Sequence, residues 1–394
     1  MLEKNRPIAF LAATPVVANT KERFAMGQLV DMGYEVSVID VSAIVDAQVT
    51  AKVTVERMED NQIQTKYFDH IYQLETYLAA HPDTYYFLLF DYYYEVRKIY
   101  DLLTKYDVDY GNVSTALTDC LVMTKADGKR RLGGLLFRFS PKKWSRIYFN
   151  RVTRRSGKHK PSNFLLIGGR NGMDDVWNNC CCKEGITKQI YIRSFDCERF
   201  RNTEGYDAEG KPYAVFLDQG LPFHPDFIHS DEHIDAEKYF REVHDIFDVI
   251  RNRYGMEIII AAHPRINYAD KGDVWKGCPV VYGQSPQLVK NASLVMTHMS
   301  NSITFAVMAD KPALILQLPA WDRGYHVRQM CQYWSKQLDA PIIRTGADLH
   351  EQMDYQPNEE AYDKTRYLYT ESCENDNRSF WEIAVSQIPD GRLA

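Results

Sequence analysis

Apolar residues fall in short continuous runs, most of them separated by longer stretches at helical spacing. In the first half these runs are 7–13 (PIAFLAA), 34–41 (YEVSVIDV), 84–90 (TYYFLLF), 163–169 (NFLLIGG) and 190–192, with a further strand followed by a helix over 109–127. A short apolar run bounded by turn residues reads as a buried strand. The intervening pattern predicts helices over 19–32, 70–80, 96–106 and 173–182. Asn19 or Thr20 supplies a cap for the first, and Gly33 stops it. Residues 48–65 alternate polar and apolar and read as a small hairpin or a solvated excursion. Six or seven strand-like runs interspersed with helices predict a doubly wound α/β sheet.

After AEGKP at 208–212, which reads as a linker, the pattern restarts. Strands are predicted at 213–217, 257–262, 293–296, 313–316 and, as a short edge, 342–343. Helices are predicted at 235–254, 303–309, 321–338, 358–371 and 377–388. A chain of 394 residues is long enough for two full cores. The expected division is 1–207, 208–357 and a pair of terminal helices in 358–394.

Composition narrows the class. Hydrophobic content of 45% and charged content of 25% are those of a soluble globular protein, and a net charge of −6 argues against a general nucleic-acid binder. No apolar run approaches the roughly 18–20 residues that cross a bilayer, and residues 1–13 lack the pattern of a signal peptide. The eight cysteines contain no CxxC pair, which fits reduced thiols in a cytoplasm and gives no structural zinc site. The Cys180-Cys181-Cys182 triplet reads as helix packing, and Asp174 and Asp175 as caps rather than metal ligands. No metal and no cofactor are expected.

The chemistry concentrates between 255 and 318. The strand at 257–262 stops at His263-Pro264, which fixes the imidazole just past a carboxyl strand end, where open α/β sheets bind ligands. The next strand runs into Thr297, His298, Met299, Ser300, Asn301 and Ser302, where a helix starts, and Lys311-Pro312 precedes a further strand. Hydroxyls at a helix start suit an anion.

This ordered set, strand–HP–strand–SxS–helix–KP–strand, resembles the nucleotide-binding half of GT-B glycosyltransferases. It is closest in type to bacterial sialyltransferases and capsular Kdo transferases. The resemblance is clear over about 213–320. It departs in one respect: Asn301 separates the two serines, which the families place side by side. The resemblance implies two Rossmann-like α/β domains facing across a cleft, with the last helix crossing back to the first domain. It implies a metal-independent glycosyltransferase with a CMP-linked donor and a surface-glycan or lipid-linked acceptor. By the same resemblance His263 assists the leaving phosphate. Pro264, Thr297, Ser300, Asn301 and Ser302 line the donor, as do Asp218, Gln219 and Gly220 after the strand at 213–217. That loop also reads as a plain tight turn. A UDP-sugar enzyme, a polyol-phosphate transferase of the teichoic-acid kind and a non-catalytic GT-B-like protein are the alternatives.

The first half lacks GxGxxG, so it gives no dinucleotide site. Asp91 and Glu95, at the end of the strand at 84–90, are candidates for the acceptor-side base. The more ordinary reading of Asp91 is the cap of the helix at 96–106. Residues 125–160 carry about a dozen basic residues and one acid, interleaved with aromatics. That mixture reads as a peripheral element on an anionic membrane face, or as a basic groove for a polyanionic acceptor.

Overall fold

The computed structural model describes residues 2–52, 57–114, 141–170, 177–223, 234–263, 266–321, 325–349, 355–370 and 377–390. The chain forms two compact units: unit 1 is Met1–Glu198 with Glu371–Ala394, and unit 2 is Arg199–Thr370.

Unit 1 is built on seven parallel strands: β1 (Ile8–Ala12), β2 (Val36–Asp40), β3 (Gln64–Tyr67), β4 (Tyr85–Leu88), β5 (Tyr110–Ser114), β6 (Phe164–Gly168) and β7 (Lys188–Ile192). They lie in the order β3-β2-β1-β4-β5-β6-β7. β1, β4 and β6 are buried along their whole length. That is why they read as unbroken apolar runs: helices cover both faces of a parallel sheet. The helices are α1 (Thr20–Arg23), α2 (Met26–Asp31), α3 (Ser42–Lys52), α4 (Ile71–Ala80), α5 (Arg97–Lys105) and α6 (Pro141–Arg151). The unit boundary falls within α7 (Phe195–Arg201).

Unit 2 repeats the plan with six parallel strands: β8 (Tyr213–Leu217), β9 (Glu257–Ala262), β10 (Val280–Tyr282), β11 (Leu294–Thr297), β12 (Ala313–Leu316) and β13 (Ile342–Ile343). Their order is β10-β9-β8-β11-β12-β13. Its helices are α8 (Ala236–Tyr254), α9 (Ser285–Asn291), α10 (Thr304–Met308), α11 (Tyr325–Leu338) and α12 (Glu359–Tyr369). The Asp235 carboxylate caps α8 by accepting from the Lys238 amide, and Gly255 ends it at a φ of 62°.

The last helix, α13 (Phe380–Gln387), belongs to unit 1. Trp381 is its anchor. Its ring stacks on Phe87 at 5.4 Å, meets Phe10 edge-on at 5.5 Å, and donates its Nε1 hydrogen to the Phe24 carbonyl at 2.8 Å. A buried ion pair seals the end of the chain: Arg6 reaches Asp390 at 2.8 Å and Asp109 at 2.6 Å. The expected return of the terminal helix is therefore present, but for α13 alone. α12 stays with unit 2, where Tyr362 donates to the Lys311 carbonyl and Thr365 to the Gln337 carbonyl.

Three stretches depart from the sequence reading. The single helix expected over 19–32 is broken into α1 and α2 by Ala25, which sits at a φ of 47°. Part of the stretch expected as a hairpin holds the end of α3, kinked at Asp46, and the strand β3. β10 is a strand the reading did not name. Pro264, residues 125–140 and Asp174 and Asp175 lie outside the described residues. Among the described residues, no helix is long and apolar enough to cross a membrane.

Candidate functional site

In unit 2, strand register brings the site together. Leu217 of β8 pairs with Ala261 of β9 on one side and Thr297 of β11 on the other. Three carboxyl ends therefore stop in one row. They flank the point where the strand order reverses, between β8 and β11, the usual ligand crevice of such sheets.

The loop after β8 is held from all sides. Asp218 is buried, and its Oδ1 accepts from the Gly220 amide at 2.7 Å. Its Oδ2 accepts from the Tyr268 hydroxyl at 2.6 Å and from the His263 amide at 3.4 Å. Burial pushes this carboxyl up to about 6, although each of those donors pulls it down. Gln219 then bridges to the neighbouring loop, its Oε1 accepting from the Met299 amide at 2.8 Å. Gly220 sits at a φ of 58°, and a Cβ there would lie 2.3 Å from the Ile266 side chain. No other residue fits that turn without displacing Ile266.

Beyond β11 the hydroxyls sort into two roles. Thr297 is fully buried, and its Oγ1 donates to the Leu217 carbonyl at 3.3 Å while the Ser300 amide leans on it at 3.4 Å. It ties the ends of β8 and β11 together. Ser300 caps the short 3₁₀ turn Asn301–Ile303 by accepting from the Ser302 amide at 3.2 Å. Ser300 and Ser302 are half-buried and Asn301 is exposed, so all three remain at the surface of the crevice. The turn continues into α10.

The two histidines also separate. His298 is wholly buried: it donates from Nδ1 to the Leu316 carbonyl and accepts at Nε2 from the Tyr239 hydroxyl, both at 2.8 Å. Burial holds it down to about 4, so it is neutral and structural. His263 stays half-buried, its backbone held by Asp218. Tyr268, which positions Asp218, escaped the sequence reading. It lies in a polar insert with no periodicity, and its partner is fifty positions upstream in the chain.

In unit 1 the two candidate carboxylates have different surroundings. Asp91 caps no helix: the 3₁₀ turn Tyr94–Val96 begins after Tyr93, and α5 after Val96, neither with a side-chain cap. It is half-buried, burial raises its pKa, Arg154 opposes that rise, and the Cys180 thiol approaches its Oδ1 at 4.0 Å. Glu95 is engaged elsewhere, accepting from Arg146 Nε of α6 at 2.6 Å. Asp91 thus has no helix-capping role, and Glu95 is paired with Arg146. The cysteine triplet follows the helical residues 177–179 rather than lying within a helix, and Cys180 is buried against Leu165 and Ile167.

No protein-family model and no curated protein matches the sequence. Solved structures do match in fold. A variant of the wall teichoic acid polymerase TagF aligns at a TM-score of 0.55 and 12% identity, over 96% of this chain and 88% of that one. The calicheamicin glycosyltransferase CalG4 aligns at 0.53 and 9% identity, over 93% and 94%. The fold is GT-B. A UDP-N-acetylglucosamine 2-epimerase, so described for Listeria monocytogenes, gives 0.50 and 10% identity, over 93% and 92%. At such identities the likeness is one of architecture.

Proposed function

We propose that this GT-B protein is a metal-independent glycosyltransferase that binds its nucleotide-sugar donor at the strand ends of unit 2. The observation that carries the reading is the cross-linked loop pair. Gln219 ties the Gly220 turn to the Ser300 turn, and Asp218 ties both to the backbone of His263. A glycine that allows close backbone approach, two serines at a turn opening a helix, and a half-buried imidazole suit a phosphate-bearing ligand.

In this reading Ser300 and Ser302 hold phosphate oxygens and Asn301 lies at the rim. His263 donates a hydrogen bond or proton to the departing phosphate, and Asp91 is the acceptor-side base. A base with a raised pKa takes a hydroxyl proton more readily than an ordinary carboxylate does. The ordered HP and SxS motifs favour a CMP-linked donor of the sialic-acid or Kdo kind, and a surface glycan as acceptor. A second reading, transfer of a polyol phosphate from a CDP-linked donor, is favoured by the shared fold with TagF, one structure of which was soaked with CDPG. Both readings need a cytidine nucleotide in unit 2.

Product analysis separates them. When CMP- and CDP-linked donors are tried in parallel, the CMP-linked sugar should be consumed, with release of CMP and formation of a glycosidic bond. A phosphodiester in the product would move the assignment to the second reading. Absence of transfer from every donor, with nucleotide still bound, would leave a binding protein.

A further inference from the structure

Unit 1 carries a groove of about 570 Å³ between α5, α6 and the segment 153–159. This volume lies in the range of roughly 300–1,000 Å³ usual for ligand pockets. One wall is aromatic. Trp144 and Tyr148 stand one turn apart on α6 with 61% and 63% of their surface exposed. Large aromatic faces at the lip of a polar groove offer stacking area to a ligand whose own faces are apolar.

The opposite wall is charged. The Arg97 guanidinium lies 3.8 Å over the Tyr94 ring, which fixes it in place. Lys158 pairs with Asp101 at 2.6 Å. Beneath them His159 is buried, donating from Nε2 to Asp101 at 3.0 Å and accepting at Nδ1 from the Tyr92 hydroxyl. These two hydrogen bonds fix its ring, and burial lowers its pKa against the opposing pull of Asp101. The groove thus pairs stacking rings with fixed donors and acceptors. Its cations outnumber its single carboxylate, and residues 141–160 add Lys and Arg without one acid.

We propose that this groove binds an anionic oligosaccharide. A pyranose face stacks on Trp144 and Tyr148, ring hydroxyls meet Asp101 and Lys158, and a uronate carboxylate meets Arg97. A membrane surface fits the geometry less well. Phe149, the third aromatic along this face of the segment, is 2% exposed and packs against Tyr92 at 5.0 Å. The exposed rings line a concavity with a polar floor, whereas interfacial helices present a continuous apolar face. The inference stands on unit 1 alone and does not depend on the nucleotide reading.

The test is calorimetry on the full chain, with tetragalacturonate, the neutral maltotetraose and inorganic phosphate as ligands, and sedimentation with phosphatidylglycerol vesicles. Binding of tetragalacturonate that weakens with salt and exceeds that of maltotetraose is expected. Trp144→Ala should weaken it at least about tenfold, a loss of about 1.4 kcal/mol, with unchanged circular dichroism. Arg97→Gln with Lys158→Gln should reduce both affinity and salt dependence. Equal binding of maltotetraose, equal binding of phosphate, or no effect of Trp144→Ala would each overturn the proposal. So would Trp144-dependent vesicle capture without uptake of the tetrasaccharide, which would return the segment to a membrane role.

Discussion

The two sheets share one strand order outward from their first strands, yet their carboxyl edges are finished in different ways. In unit 1 the loop after β1 is clasped from below. Asp40, at the end of β2, accepts from the Val16 amide and from the Ser42 amide, each at 2.8 Å. β4 runs on into Phe90 and Tyr92, both buried. In unit 2 the corresponding ends carry Asp218, Gln219, Gly220 and Ser300, joined by side-chain bonds across the switch point. The same topology thus supplies a crevice twice, while in unit 2 side-chain hydrogen bonds cross-link the loops that border it. Unit 1 places its exposed aromatic and cationic groups along α5 and α6 instead. Fold and chemistry are separable, and the site must be argued from residues.

The comparison can be sharpened by disabling each unit separately. The largest effect is expected from Trp381→Ala, which removes the ring that closes the aromatic core of unit 1. Such truncations cost about 3–5 kcal/mol, so denaturant unfolding should show a less stable unit 1. Nucleotide affinity, a property assigned to unit 2, should not change while the protein remains folded. Loss of nucleotide binding in the folded variant would mean that the units do not divide the work as described.

Next is His263→Ala. Removing a positioned acid or charge stabiliser costs about 10²-fold or more in turnover. The melting temperature should stay near that of the wild type, since the half-buried imidazole is not part of the core. Near-normal turnover would remove His263 from the chemistry, and a collapse in stability would make it a core residue.

Smaller still is a pair of opposed pH effects inside the unit 2 site. Asp218 titrates at about 6 in the folded state against an ordinary 3.8. The folded form therefore holds its proton more tightly than the unfolded form, and stability falls as pH rises from about 4 to 6. His298 titrates at about 4 against an ordinary 6.5, so the unfolded form holds the extra proton. Its contribution is present above about 6.5 and is lost as pH falls towards 4. The two slopes oppose each other in the shared window. Relative to wild type, Asp218→Asn should lose the falling slope and His298→Asn the rising one, each by about 1–3 kcal/mol across the window. Unfolding curves at several pH values check this, and parallel profiles for all three proteins would contradict the assigned environments. The smallest effect is Gln219→Ala, which removes one neutral hydrogen bond worth about 1 kcal/mol. Nucleotide affinity should drop several-fold as the two loops uncouple.

Much of this was legible in the sequence, for identifiable reasons. Strands buried on both faces appear as unbroken apolar runs, so β1, β4, β8, β9 and β12 stand out. A proline after β9 marks where His263 emerges. β10 was not legible because three residues leave no pattern, and α3 because its sequence has weak periodicity and a kink at Asp46. The site was half legible. Sequence spacing places Thr297 beside the serines, but it is the last residue of β11, and its side chain turns inward. The clasp of Asp218 by Tyr268 and the engagement of Glu95 by Arg146 are contacts between distant positions. No local pattern encodes them.

The central claim is that the strand ends of unit 2 bind a cytidine nucleotide, and calorimetric titration of the full chain with CMP, CDP, UDP and GDP tests it most directly. CMP or CDP is expected to bind at least about tenfold more tightly than UDP or GDP, a difference of about 1.4 kcal/mol. Preference for UDP would contradict the cytidine assignment, and no measurable binding of any of the four would contradict the site itself.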